Sequence, residues 1–169
     1  MTVMSNLGFV QAMEREGIRV QQTKVGDRYV LEAMKANGFV LGGEQSGHVI
    51  LTAHATTGDG ILTALQVMAR MVTTGCSLDE LAAVMTRLPQ VLRNVRVADR
   101  DGLDAAEALW SEVREVEAEL GDHGRVLIRP SGTEPVVRVM VEAPTPEDAE
   151  AVATRLIAAV ERVLGPSGP

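Results

Sequence analysis

The spacing of apolar residues changes repeatedly along the chain, short runs of two or three alternating with stretches that repeat every three to four positions. That alternation predicts an α/β layer structure. Thr2-Val3-Met4 reads as the end of a strand, after which Ser5 or Asn6 caps a helix holding Val10 and Met13 and closed by Gly17. Ile18-Arg19-Val20 predicts a second strand. Asp27 caps a helix carrying Val30, Leu31 and Met34, and Asn37-Gly38 ends it. Phe39-Val40-Leu41 and Val49-Ile50-Leu51 read as strands on either side of a glycine-rich loop. Thr57 or Asp59 opens the next helix, with Ile61, Leu65, Met68 and Val72 on one face and Gly75 after it. Ser77-Leu78-Asp79-Glu80 has capping-box spacing for another, ending before Pro89.

The pattern shifts near Leu88-Pro89, which sets an expected boundary between domains 1–88 and 89–169. The second stretch predicts a βαββα two-layer domain. Its first strand is Val95-Arg96-Val97. A helix starts at Asp104, with Glu107 three residues on, aligns Ala105, Leu109, Val113, Val116 and Leu120, and stops at Gly121. Val126-Leu127-Ile128 and Val136–Val141 are strands. The last helix starts at Thr145-Pro146, aligns Ala149, Val152, Ala153, Leu156, Val160 and Val163, and stops at Gly165-Pro166, leaving a loose tail to Pro169. Glu112, Glu115, Glu117 and Glu119 read as a solvated helix face. At the other end, a strand without lead-in residues fits either a piece of a longer protein or a compact domain with a short first strand.

With 169 residues, 46% of them hydrophobic, the chain can fill one or two cores. Sixteen basic against twenty-three acidic residues give a net charge of −7, which argues against a nucleic-acid or anionic-membrane surface and for a discrete pocket. The single Cys76 excludes an internal disulfide and fits a reducing compartment. No run is apolar enough for a membrane span, and the start lacks a signal-peptide layout, so a soluble cytoplasmic protein is expected.

Two stretches carry candidate chemistry. Arg129-Pro130-Ser131-Gly132-Thr133-Glu134-Pro135, with Arg138 beyond it, joins two strands and is composed to hold an anion. Arg129 and Arg138 offer forked donors, Ser131 and Thr133 add hydroxyls, and Gly132 lets the backbone turn so that its N–H groups converge. The alternative is a hairpin turn with solvated arginines. Strand alternation puts Val137, Val139 and Val141 on one face and Arg138 with Met140 on the other, so both arginines can approach one site. Gly43-Glu44-Gln45-Ser46-Gly47-His48 sets a carboxylate, a hydroxyl and an imidazole two residues apart, which suits vicinal sugar hydroxyls. Here too a plain hairpin closure is the alternative. Asp59 reads better as a helix cap than as a metal ligand, and His54 and His123 lack ligand-like spacing.

Together, Gly43–His48 and Arg129–Arg138 resemble the α-D-phosphohexomutase superfamily, and most closely its bacterial phosphoglucosamine mutase branch. Thr2–Asn6, Lys24–Tyr29 and Thr56–Gly60 are similar to stretches of the same family, so the likeness runs over nearly the whole chain. The resemblance implies most of a third domain followed by a complete fourth. The family's first two domains, which carry a phosphorylated serine and an aspartate-rich Mg²⁺ loop, have no counterpart in these residues. It implies an isomerase, acting on phosphorylated hexosamine for peptidoglycan and UDP-GlcNAc precursors, that interconverts glucosamine 6-phosphate and glucosamine 1-phosphate through a bisphosphate. Arg129, Ser131, Gly132, Thr133 and Arg138 would grip the non-reacting phosphate, and Glu44, Ser46 and His48 the sugar. Lys24, Asp27 and Arg28 lie where relatives contribute active-site groups, with roles that vary among branches. By this resemblance the residues at hand need the missing N-terminal domains for turnover and are inactive alone. Competing expectations are a phosphomannomutase or phosphoglucomutase, which Gln45 tilts against, and a non-catalytic phosphosugar-binding module.

Overall fold

The computed structural model describes residues 1–165, and the expected tail beyond Gly165 lies outside them. The chain forms two compact units, Met1–Arg87 and a second from Leu88 on.

In the first unit, Asn6 caps helix α1 (Leu7–Arg15) by accepting from the Gly8 N–H. Helix α2 (Asp27–Asn37) begins one residue earlier than a cap at Asp27 would set it, because Gly26 occupies the cap position, and Gly38 ends it in the left-handed conformation. Strands β1 (Leu41–Gly43) and β2 (Val49–Leu51) pair antiparallel, Leu41 opposite Leu51 and Gly43 opposite Val49. The first strand thus slides two residues past Phe39-Val40 into the glycines. Packing explains the shift. A Cβ at Gly42 would sit 2.3 Å from the Met34 Sδ and 2.8 Å from Val30, so only glycine lets α2 lie directly on this hairpin. Val30, Met34 and Ile50 form the small core there, with Leu31 and Phe39 against it.

Two expected strands do not form. Ile18-Arg19-Val20 is irregular, and Thr2-Val3-Met4 contributes only an isolated parallel bridge between Thr2 and Thr23. A three-residue segment of strand-forming composition makes a strand only where a neighbouring backbone pairs with it. Helix α3 (Gly60–Thr74) is capped by Asp59, whose carboxylate accepts from the Leu62 N–H at 2.9 Å. Its apolar face is formed but not buried, with Ile61 78% and Val72 84% exposed. Helix α4 (Leu78–Ala82) carries the complete Ser77/Glu80 capping box.

The second unit is a three-stranded antiparallel sheet, β3 (Gln90–Arg96), β4 (Arg125–Pro130) and β5 (Val136–Glu142), in the order β3-β5-β4. One face is covered by α5 (Glu107–Leu120) and α6 (Pro146–Leu164). Val137, Val139 and Val141 meet Leu109, Val113, Val116, Ala149, Ala153, Leu156 and Val160 in one continuous core. The first strand begins at Gln90, earlier than Val95, because β5 is long enough to pair along its whole length. The expected capping box at Asp104 is absent. Asp101–Ala105 wind as a 3₁₀ turn, and α5 starts at Glu107 after Ala106, with no side-chain cap. The Trp110 indole N–H takes the Leu103 carbonyl at 2.9 Å, and Leu103 is buried, so tertiary packing sets that entrance. On the other sheet face Met140 is buried, held in register between Leu92 and Leu127.

Candidate functional site

In the second unit the strand register sets Arg129 directly opposite Arg138 on β4 and β5, at the mouth of the loop that joins them. Like charges so placed repel, and side chains directly opposite on one face are about 4.5–5.5 Å apart at Cβ. Among the described residues Arg129 has no acidic partner. Burial, and after it the neighbouring charge of Arg138, push the Arg129 guanidinium below its ordinary range. The Arg138 Nε is buried with no hydrogen-bond partner. Its Nη2 reaches the Ser131 hydroxyl at 3.4 Å and the Glu134 carboxylate at 3.7 Å. Two neighbouring cations with one distant carboxylate on Arg138 make a site that an anion would complete.

Ser131 is the hub of the loop. It is 2% exposed, and its N–H closes the turn on the Val136 carbonyl at 2.9 Å. Its carbonyl accepts from Arg100 at 3.2 Å. Gly132 and Thr133 are exposed, and neither N–H finds an acceptor among the described residues. The backbone bends at Gly132 without a positive φ, so the bend is one that other residues also adopt. A Cβ at that position would meet nothing within 4 Å, so what glycine leaves there is open space beside the N–H. Arg100 and Glu134 carried no signal in the sequence, since the first lies thirty-one positions from its contact and the second reads as a turn residue.

In the first unit, Glu44–Gly47 turn the β1–β2 hairpin. The Glu44 N–H donates to the His48 carbonyl at 2.8 Å and the Gly47 N–H to the Glu44 carbonyl at 3.1 Å. Gly47 has φ +96°, which only glycine adopts without strain. Ser46 and His48 are exposed. The Glu44 side chain accepts from the Gly26 N–H at 2.9 Å, which brings the Lys24–Arg28 stretch to the loop. Lys24, Asp27 and Arg28 are all exposed, and Arg28 is drawn to Glu32. His48 lies along Gly58, where a Cβ would come within 3.1 Å of its ring. Gly26 and Gly58 therefore bound this loop, the second from the Thr56–Gly60 stretch.

No group of three or more His, Cys, Asp or Glu side chains among the described residues is placed to hold a metal ion. No helix in residues 1–165 is long and apolar enough to cross a membrane.

Over 163 residues the chain is 64% identical to a Nocardioides protein named phosphoglucosamine mutase, covering 96% of this chain and 36% of that one. A phosphoglucosamine mutase of Streptomyces griseus is 64% identical over 164 residues, 97% of this chain and 36% of its own. The chain thus spans about a third of the length of these relatives. Among solved structures, Aspergillus fumigatus N-acetylphosphoglucosamine mutase shares the fold with a TM-score of 0.82 at 24% identity, over 97% of this chain and 38% of that one. The same enzyme in complex with GlcNAc-6P and magnesium gives a TM-score of 0.77 at 23% identity, again over 97% and 38%. Residues 1–88 match the family described as phosphoglucomutase/phosphomannomutase, alpha/beta/alpha domain III, and residues 92–159 match the C-terminal domain of the same family. With both domain models matched along its length, the chain belongs to the phosphoglucomutase/phosphomannomutase family.

Proposed function

We propose that this chain supplies the sugar-binding loop and the phosphate cradle of a cytoplasmic phosphoglucosamine mutase, an isomerase that moves a phosphoryl group between the 6- and 1-positions of glucosamine. In this reading residues 1–88 present Glu44, Ser46 and His48 to the sugar hydroxyls. Residues 89–169 present Arg129, Ser131, Gly132, Thr133 and Arg138 to the phosphate that is not reacting. The observation that carries the reading is the cross-strand pair Arg129 and Arg138, one without an acidic partner and the other with a buried, unsatisfied Nε. A phosphate dianion offers three acceptor oxygens and the opposite charge.

Phosphoryl transfer is mostly positioning and charge stabilisation, so gripping the idle phosphate fixes where the reacting end of the sugar falls. The phosphoserine carrier and the Mg²⁺ ligands belong, in this proposal, to the two thirds of the relatives that this chain does not span. Hence the 169-residue chain binds substrate weakly and does not turn it over. The name shared by the 64% identical relatives supports glucosamine over mannose or glucose.

Titration of the ¹⁵N-labelled chain with glucosamine 6-phosphate tests the binding. The amides of Ser131, Gly132 and Thr133 are expected to move, and Arg138→Ala to abolish their response. Amides that stay still while others move would mark a purely structural loop, and sustained mutase turnover by the chain with Mg²⁺ and a sugar bisphosphate would overturn the division of labour.

A further inference from the structure

Arg100 belongs to no motif of the phosphate cradle, yet its side chain is locked against the loop. Its Nε and Nη2 donate to one carboxylate oxygen of Asp101 at 2.9 and 2.7 Å, and its Nη1 donates to the Ser131 carbonyl at 3.2 Å. Asp101 neutralises the guanidinium, and with two of its three nitrogens held the third is aimed at a fixed point. Arg100 is therefore not a third cation beside Arg129 and Arg138. It is an arm.

What the arm holds gives it a role. The described chain has no cis peptide bonds, and in a planar trans peptide the carbonyl and the following N–H point in opposite directions. Holding the Ser131 oxygen from the Arg100 side turns the Gly132 N–H to the other side. The Ser131 N–H on Val136 and the Ser131 hydroxyl near Arg138 fix the same residue at two more points. The space that a Cβ at Gly132 would enter is open, so a ligand can come close to this peptide.

We propose that Arg100 is a positioning residue for anion binding: by gripping the Ser131 carbonyl it orients the Gly132 N–H to donate to phosphate. The proposal rests on the reading of residues 129–138 as a phosphate cradle. Asp101 serves it by aiming the guanidinium. A lysine at position 100 keeps the charge but loses the fork that holds both partners.

The test is a titration of the ¹⁵N-labelled 169-residue chain with inorganic phosphate at constant ionic strength, comparing wild type with R100A, R100K and D101N. Wild type is expected to show a saturable Gly132 amide shift. In R100A the apparent Kd should rise about tenfold, the change expected from losing one oriented donor to a charged group. The Gly132 shift should vanish while the Arg138 Nε–H still responds. R100K and D101N should each reduce the Gly132 shift selectively. If R100A does not fold, D101N carries the test, because it keeps Arg100 and removes only its aim. An unchanged Gly132 shift in the folded variants, or an equal loss of response at every loop residue, overturns the positioning role. No Gly132 response even in wild type overturns the cradle reading itself, and this proposal with it.

Discussion

From Leu88 on, the chain buries a continuous core that runs from Val95 to Leu164, whereas Met1–Arg87 gather only Val30, Met34 and Ile50 into a cluster. The two units are close in length, so size does not separate them. Closure does. In the second, β5 is paired on both sides and α5 and α6 cover one sheet face, so each apolar stripe finds a partner within the unit. In the first, the sheet stops at two strands and no residue of α3 is buried, although Ile61, Leu65, Met68 and Val72 repeat at helical spacing. The two loops inherit this difference. The loop proposed to hold phosphate adjoins β5, the most buried of the described strands, and the loop proposed to hold sugar turns a short hairpin pinned by Glu44 to Gly26.

The contrast can be broken at several strengths. Glu142 is fully buried and takes hydrogen bonds from Gln90 at 2.6 Å and Arg125 at 3.0 Å. Glu142→Ala should cost about 3–5 kcal/mol in denaturant unfolding, because it removes one member of a buried ion pair with Arg125. The matching change in the first unit, Glu32→Ala at the exposed Arg28 pair, should cost far less, because solvent screens both charges. Leu156→Ala empties a fully buried site on α6 and should cost about 2–5 kcal/mol, while Leu65→Ala on the exposed face of α3 should stay within about 0.5 kcal/mol. Equal costs at Leu65 and Leu156 would show that α3 is packed in solution.

Binding should divide along the same line. Arg129→Ala should weaken inorganic phosphate by roughly 10- to 100-fold, the value of a charge-assisted hydrogen bond, with no loss of thermal stability because a repulsive cross-strand pair is relieved. Glu44→Gln should weaken glucosamine 6-phosphate and leave inorganic phosphate unchanged, which calorimetry with the two ligands separates. The smallest effect belongs to α4. The hydrogen bonds from the Ser77 backbone N–H and, after it, its hydroxyl hold the Glu80 carboxyl below its usual range. A depressed carboxyl contributes stability above the unfolded value of about 4.3 and loses it as pH falls through the folded value, so Glu80→Gln should flatten only that acid limb.

The capping residues were legible because a cap is a local event: Asn6, Asp59, Ser77 with Glu80, and Thr145 each accept from an N–H two or three positions on. Core positions of α5 and α6 were legible for the same reason, since a 3.6-residue period needs no knowledge of the partner. Gly17, Gly38 and Gly75 mark helix ends by a left-handed backbone that glycine tolerates. Misreadings fell where pairing decides. Ile18-Arg19-Val20 has strand composition but pairs in no ladder, its Ile18 N–H going back to the Met13 carbonyl, and β1 moved onto Gly42 because α2 needed the space of a missing side chain.

The sequence by itself determined the helices, the caps of four of them, the buried stripes of α5 and α6, and the residue types of both loops, since each of these is written within a few positions of chain. Only the tertiary structure decided that Glu44 is tied to Gly26 and that Arg100 reaches Ser131. These contacts join residues up to thirty-one positions apart, and nothing in the spacing of either partner encodes the other. Chain folding brings them together because β5 pairs on both edges and buries its valines, and the charged groups at the loop then take the positions that the packed sheet leaves them.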